Sequence, residues 1–291
     1  MSNTTELVRR VRDSFRRSWN LHRLVHDGSS ISERIGYSIK AASTGNFAEE
    51  ETRWFETIEL LRTEMNKSTK PLRRTDYGAG NPNVSRTPDE MRAGVEVADT
   101  VGNFCQLASK PAPWCRLLFK LVQSVDPSSC IEMGTALGIS AAYQAAALRI
   151  NGGGVLVTLE GATSLADIAV NNIRRLGLDN VQVIVGRFEE TLPRTLKVRQ
   201  PIDYIFIDGH HDEQATLSYF ELMLPFLADT ALLVFDDIAW SKGMRNAWNT
   251  VTLDKRVRIA VDLGPVGLCV IEKRSAKRAY FEIPLTTLVR E

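Results

Sequence analysis

No stretch of the sequence approaches the ~18 uninterrupted apolar residues that a membrane-spanning helix needs, which excludes a helical membrane protein. The N-terminus is charged where a secretory leader would carry an apolar segment. Cysteine is scarce: Cys105, Cys115, Cys130 and Cys269 are the only four in 291 residues, with no CxxC pair or zinc-like spacing. Reduced, buried thiols are expected rather than a disulfide or zinc framework. An excess of either charge is also missing, since 36 Lys and Arg face 35 Asp and Glu. That balance gives no broad electrostatic reason to expect nucleic acid or a membrane surface as partner. Internal repeats and low-complexity tracts are absent. What remains is a cytoplasmic protein acting on a small molecule.

Against these absences, 44% hydrophobic content in 291 residues is enough for a sizeable core. Residues 1 to about 125 read as helices and loops. The first segment is basic (Arg9, Arg10, Arg12, Arg16, Arg17, Arg23), with Leu7, Val8, Val11, Phe15 and Trp19 at helical spacing. In "SISER", Ser30 and Glu33 have the spacing of a capping box, which predicts a helix start. A further helix is predicted from Ala48 to Met65, with Trp54, Phe55, Ile58, Leu61 and Met65 on one stripe. Residues 66–88, rich in Pro, Gly, Ser and Asn, read as a long loop and a candidate lid carrying Tyr77. Exposed apolar faces on these early helices could form a homo-oligomer contact. The expected division is a helical extension over 1–104 and a catalytic domain over 105–291.

From Ser129 the texture changes. "CIEM", "GVLVTLE", "VQVIVG", "DYIFID" and "ALLVFDD" are separated by helix-length intervals, which predicts an α/β fold with a parallel sheet covered on both faces. "RVRIAVDL" and "GLCVIEK" close it as an antiparallel hairpin. In such sheets ligands bind beyond the carboxyl ends of the strands. The first strand ends in "EMGTALGIS", where Gly134 and Gly138 frame a turn into an alanine-rich helix; the third glycine of a dinucleotide fingerprint is lacking. The second ends in Glu160, placed either to accept hydrogen bonds from ribose hydroxyls or simply to face solvent.

"IEMGTALGISAAY", "TLEG", "VIVGRFEE" and "YIFIDGHH", in this order, resemble motifs of the class I S-adenosylmethionine-dependent methyltransferases, in their O-methyltransferase branch, over roughly residues 105 to 273. The resemblance implies a Rossmann-like, seven-stranded sheet with an antiparallel last strand. It places Glu132, Gly134, Thr135 and Ser140 beside the methionine part of S-adenosylmethionine, with Gly138 also among the cofactor-binding residues, Glu160 on the ribose, and Gly186, Arg187 and Phe188 along the adenine. Arg187 and Phe188 depart from the small or acidic residues the family more often has there. "DYGAG", "FIDG" and "FDDIAWS" are also similar to segments of bacterial methyltransferases of unassigned substrate.

Asp208 closes the fourth strand and Asp236 and Asp237 the fifth, which brings three carboxylates to one edge of the sheet. Their repulsion calls for a cation, and hard oxygen ligands suit Mg2+ or Mn2+. The spacing resembles the metal-binding acids of metal-dependent catechol, caffeoyl-CoA and sugar O-methyltransferases. The alternative is that one aspartate caps the next helix and Asp208 binds the cofactor amine. His211 stands where those relatives carry their general base, with His210 as competitor, and imidazole can accept a hydroxyl proton near neutral pH. Trp240, Ser241, Lys242 and Arg245 are candidate substrate contacts. The expectation is metal-dependent O-methylation of a small hydroxylated substrate. Its rivals are a metal-independent methyltransferase and an RNA-binding module using the basic N-terminus.

Overall fold

The computed structural model describes residues 16–81, 84–273 and 277–285. Most of the basic, striped N-terminal segment, including Arg9, Arg10, Arg12 and Leu7 to Phe15, therefore lies outside the described residues. Residues 16–25 form helix α1. In α2 (Ser30–Thr44), Ile31, Ile35 and Ile39 fall on one buried face, and in α3 (Glu49–Asn66) Phe55, Ile58, Leu61 and Met65 do the same. The Ser30 and Glu33 capping box does not form: Ser29 is the N-cap, Ser30 is already helical, and no side chain caps the end.

The stretch 66–88 is not simply a loop. It contains β1 (Pro71–Asp76) and a short hairpin of β2 (Gly80–Asn81) and β3 (Val84–Ser85). After the helical turn α4 (Pro88–Ala93), β4 (Val95–Thr100) pairs antiparallel with β1. Only Leu72 of β1 is buried, so its apolar signal is too weak to announce a strand; the ladder to β4 supplies what periodicity does not. Helices α5 (Val101–Ala108) and α6 (Ala112–Val125) follow, the second entered through Pro111 and Pro113.

The central sheet is built from β5 (Ser129–Met133), β6 (Val155–Glu160), β7 (Val181–Val185), β8 (Ile202–Ile207), β9 (Leu227–Phe235), β10 (Val257–Asp262), β11 (Gly267–Glu272) and β12 (Ala279–Glu282). Between them lie α7 (Ile139–Asn151), α8 (Thr163–Arg175), α9 (Phe188–Arg199), α10 (Glu213–Met223) and α11 (Lys242–Leu253). The strand order is β12-β10-β11-β9-β8-β5-β6-β7. Strand β11 inserts antiparallel between β9 and β10, as the hairpin predicted. The sheet has eight strands rather than the expected seven, because Ala279–Glu282 returns to pair parallel with the outer edge of β10. Four residues with Phe281 as their one well-buried large side chain gave no strand signal of their own.

Period-two alternation along β8 divides the core. Tyr204 and Phe206 join Phe55, Phe119 and Tyr143 on one face; Ile205 and Ile207 join Phe220, Phe235 and Trp248 on the other. Phe55 of α3 stacks with Tyr143 of α7 (5.4 Å between centroids) and meets Phe119 edge-on at 4.9 Å. The early helices are thus continuous with the core under the sheet. Asp203 accepts from the backbone N–H groups of Ser128 and Ser129 at 2.9 and 3.0 Å and ties β8 to the entry of β5.

Candidate active site

Strand order reverses between β5 and β8, and the crevice opens there. The Asp208 N–H donates to the Met133 carbonyl at 2.9 Å, so the two strand ends are stitched together. A Cβ on Gly134 (φ 101°) would lie 2.0 Å from the Asp208 carbonyl oxygen. Glycine is required there for strand-end packing before any ligand is considered. A cavity of about 280 Å³ lies over this seam, walled by Gly134, Ala136, Glu160, Phe188, Asp208 and His211 and roofed by Tyr77 to Gly80.

Glu160 ends β6 inside this wall. Its two carboxylate oxygens accept from the Ala136 and Ala162 amides at 2.8 and 2.9 Å. Burial pushes its carboxyl above the ordinary range, and the two amides oppose that shift. Phe188 and Arg187 also line the cavity, Arg187 with its Nε buried and without a hydrogen-bond partner. A carboxylate, an aromatic ring and a glycine turn on one wall fit the hydroxyls and base of an adenosine group.

Other residues expected at the cofactor do not line the cavity. Gly138, in the left-handed conformation, starts α7 and packs on Ala169. Glu132, Thr135 and Ser140 are buried, and Gly186 also lies off the wall. Glu132 accepts from the Thr158 hydroxyl at 2.6 Å and the Gln144 amide at 2.8 Å, and burial pushes its carboxyl up to about 7. Thr135 pairs with Thr158 through their hydroxyls at 2.6 Å. These residues form a polar network behind the glycine turn.

The candidate lid is folded down. Tyr77 sits where a Cβ on Gly161 would meet it at 2.8 Å, and the Arg187 guanidinium lies over its ring at 5.6 Å. Asp76 anchors the lid, paired with Arg74 at 2.9 Å and Arg86 at 3.1 Å. Burial opposes its charge, but Arg74, the Gly78 amide and Arg86 outweigh it and hold the carboxyl below its ordinary range. The Ala79 N–H donates to the His210 carbonyl at 2.9 Å. Asp76 to Gly80 are the quoted segment "DYGAG" of the candidate lid, whereas Arg74 carried no sequence signal, because it reaches the site through the β1 and β4 ladder.

The acids do gather. The Asp236 N–H donates to the Ile207 carbonyl at 2.9 Å, which places Asp236 beside the end of β8. His211 Nε2 stands 3.7 Å from an Asp208 oxygen and 3.8 Å from an Asp237 oxygen. His210 turns away: its Nδ1 meets the Tyr219 hydroxyl, its ring packs against Phe188 at 5.4 Å, and burial lowers its pKa. His210, His211 and Asp237 all have positive φ (62°, 49° and 52°), a conformation that costs non-glycine residues roughly 1–2 kcal/mol each.

Sequence reasoning missed Lys110. Its ammonium forms an ion pair with Asp236, and both side chains are almost wholly covered. Burial opposes its charge, but Asp236 foremost, then Asp208 and Asp237, more than offset this and hold its pKa above the ordinary lysine value. Burial, with Asp236 next, pushes Asp208 and Asp237 up. Among the described residues no three carboxylate, imidazole or thiol side chains converge closely enough to hold a metal ion. With an ammonium seated on Asp236, the three acids as placed do not fit a divalent cation.

A second cavity, of about 510 Å³, adjoins the first, and Ala79 and His211 line both. Trp240, Ser241, Lys242 and Arg86 line its outer wall, with the Trp240 ring 5.7 Å from His211. Ser241 caps α11 by accepting from Met244 N–H at 3.1 Å. Arg245, expected beside the substrate, instead pairs with Asp262 at 2.6 Å.

The methyltransferase-domain family Methyltransf_24 matches residues 131–238, the span from β5 to the loop after β9. Over this span the chain matches a methyltransferase domain. Within this domain lie the glycine turn, Glu160, Asp208, both histidines and the Asp236 and Asp237 pair. A catechol O-methyltransferase of Niastella koreensis is 31% identical over 162 residues, 55% of this chain. The chain covers 61% of that relative's length. The SAH-bound methyltransferase PaMTH1 of Podospora anserina shares the fold over 81% of this chain and 94% of its own, at 14% identity and a TM-score of 0.53. The cofactor-bound Rv0187 of MTB does so over 58% and 84%, at 22% identity and a TM-score of 0.50.

Proposed function

We propose that the protein transfers a methyl group from S-adenosylmethionine to a hydroxyl oxygen of a small molecule. One observation carries this reading: His211 stands in the wall shared by two cavities, one shaped for an adenosine group and the other bounded by Trp240. The name of the Niastella koreensis relative, a catechol O-methyltransferase, supports the reaction class.

When bound, S-adenosylmethionine supplies the electrophilic methyl group. Glu160 would hold the ribose hydroxyls, Phe188 would lie along the base, and Gly134 and Asp208 would border the methionine end. The lid, with Tyr77, excludes water from this cavity. An acceptor lies against Trp240 in the outer cavity and directs its hydroxyl to His211 Nε2, which takes the proton as the oxygen attacks. Asp208 and Asp237, on either side of that nitrogen, stabilise the imidazolium that forms. His210, held by Tyr219, keeps the turn in shape. Alignment of the two cavities supplies most of the acceleration.

The metal-dependent form of the reaction, with Mg2+ or Mn2+ on Asp208, Asp236 and Asp237, is the less favoured reading because Lys110 already engages Asp236. We take residues 105–291 as the catalytic unit and 1–104 as an extension that supplies the lid. No described helix is long and apolar enough to cross a membrane, and all four cysteines are buried and unpaired, in keeping with a cytoplasmic setting.

The test is methyl transfer to catechol and other hydroxylated aromatics, read as methyl ether and S-adenosylhomocysteine formed in equal amounts. His211→Gln should lower kcat by roughly 100-fold or more while S-adenosylhomocysteine affinity is kept. Failure of the wild-type protein to bind S-adenosylhomocysteine in calorimetry would sink the proposal.

A further inference from the structure

Lys110 comes from the turn before α6, far in sequence from the acids it meets. Pro111 follows it and heads the helix, its carbonyl accepting from Trp114 and Cys115 N–H at 3.0 and 3.1 Å, while the Lys110 carbonyl accepts from the Cys115 thiol at 3.2 Å. The backbone at 110 is therefore held in place, and the side chain reaches Asp236. The same Asp236 oxygen also accepts from the Asp237 N–H at 2.8 Å. Only 10% of the Lys110 side chain and 2% of the Asp236 side chain are exposed. An ion pair this well covered is fixed rather than fluctuating: removing either partner leaves a stranded charge.

Three aspartates within one strand-end cluster need positive charge close by. Two sources could provide it, a divalent ion recruited from solution or a cation carried by the chain. We infer that Lys110 is that cation, occupying by its ammonium the role a divalent ion would fill at Asp208, Asp236 and Asp237, so that the site works without metal. The inference rests on the methyl-transfer reading only for what the cluster is used for; the charge arrangement itself stands independently. Lys110 acts on the reaction through Asp236 and is a positioning residue. It compensates the acids so that Asp208 and Asp237 can flank His211 without an ion pulling their oxygens away from the imidazole. The atoms of the transfer balance without an added metal: the hydroxyl proton passes to His211, the oxygen-to-methyl bond forms, and the sulfur keeps the electron pair of the bond that breaks.

The experiment is a Mn2+ titration of the metal-stripped full-length protein, followed by calorimetry and by loss of the free Mn2+ paramagnetic resonance signal. Wild-type protein should show no specific Mn2+ site, and its turnover should be unchanged by EDTA. Lys110→Ala, which uncovers the three acids, should bind Mn2+ about tenfold or more tightly than wild type. Lys110→Arg, which keeps the charge, should stay as indifferent to Mn2+ as wild type. A purely structural lysine would not divide the two variants in this way. One Mn2+ bound per wild-type chain at micromolar affinity would overturn the inference, and this arm needs no variant to fold. So would a folded Lys110→Ala that binds Mn2+ no better than wild type. S-adenosylhomocysteine binding is measured on the same samples: its absence would remove the methyl-transfer reading while leaving the Mn2+ result to decide the role of Lys110.

Discussion

Two acids close neighbouring regions of the same sheet and are stabilised in opposite ways. Glu160, at the end of β6, is held by two backbone amides of adjacent turns, Ala136 and Ala162. Asp236, after β9, is held by the Lys110 ammonium, which arrives from another part of the chain. Amides supply partial charge and leave a carboxylate able to take further donors. An ammonium neutralises its partner outright and ties it up. The first arrangement suits an acid that must receive a ligand, the second an acid that organises its neighbours. Glu132 is a third case, buried with only neutral hydrogen-bond donors.

The sharpest break in this comparison is Asp236→Asn. It strands a buried ammonium, and the expected cost is about 3–5 kcal/mol, read from urea unfolding midpoints. An effect below about 1 kcal/mol would mean that the pair is not the stabilising unit described here. Next is the pH dependence of Glu132, whose carboxyl rises from 4.5 to about 7 on folding. The folded chain binds that proton more tightly than the unfolded one. The stability it contributes is complete below about pH 4.5 and is lost as pH rises through about 7, by roughly 3 kcal/mol. Glu132→Gln should flatten the unfolding midpoint over that window relative to wild type; parallel profiles would contradict the assignment.

Glu160→Gln should weaken S-adenosylhomocysteine binding by about 10- to 100-fold, since a charge-assisted bond is worth roughly 1.5–3 kcal/mol. Stability should change little, because one oxygen still accepts from an amide. Calorimetry beside thermal unfolding separates the two effects. The smallest expected change is Tyr77→Ala: loss of its contact with Arg187 should cost about 0.5–1 kcal/mol of ligand affinity and leave the fold intact.

The same contrast explains what was legible in the sequence. Strands β5, β6, β8 and β9 are buried on both faces, so their apolar runs and the acids that end them stand out along the chain. Glu160, Asp208 and Asp236 were readable for that reason. His211 was separable from His210 only once the turn was seen, since alternate ring directions follow from two successive left-handed residues. Lys110 was not readable, because nothing in "SKPAPW" marks a lysine whose partner lies beyond five intervening strands. Strands β1 and β12 were missed because their partners define them more than their own composition does. The antiparallel place of β11 was legible from the short connection at Gly264 and Pro265, and the extra edge strand was not.

The Ala79 N–H bonded to the His210 carbonyl has a kinetic meaning. Ala79 belongs to the walls of both cavities, so lifting the segment that roofs the first also frees the peptide before His211. On the proposed methyl-transfer reading, departure of the spent donor and relaxation of the proton acceptor become a single event, and the imidazole is reset each time the roof opens.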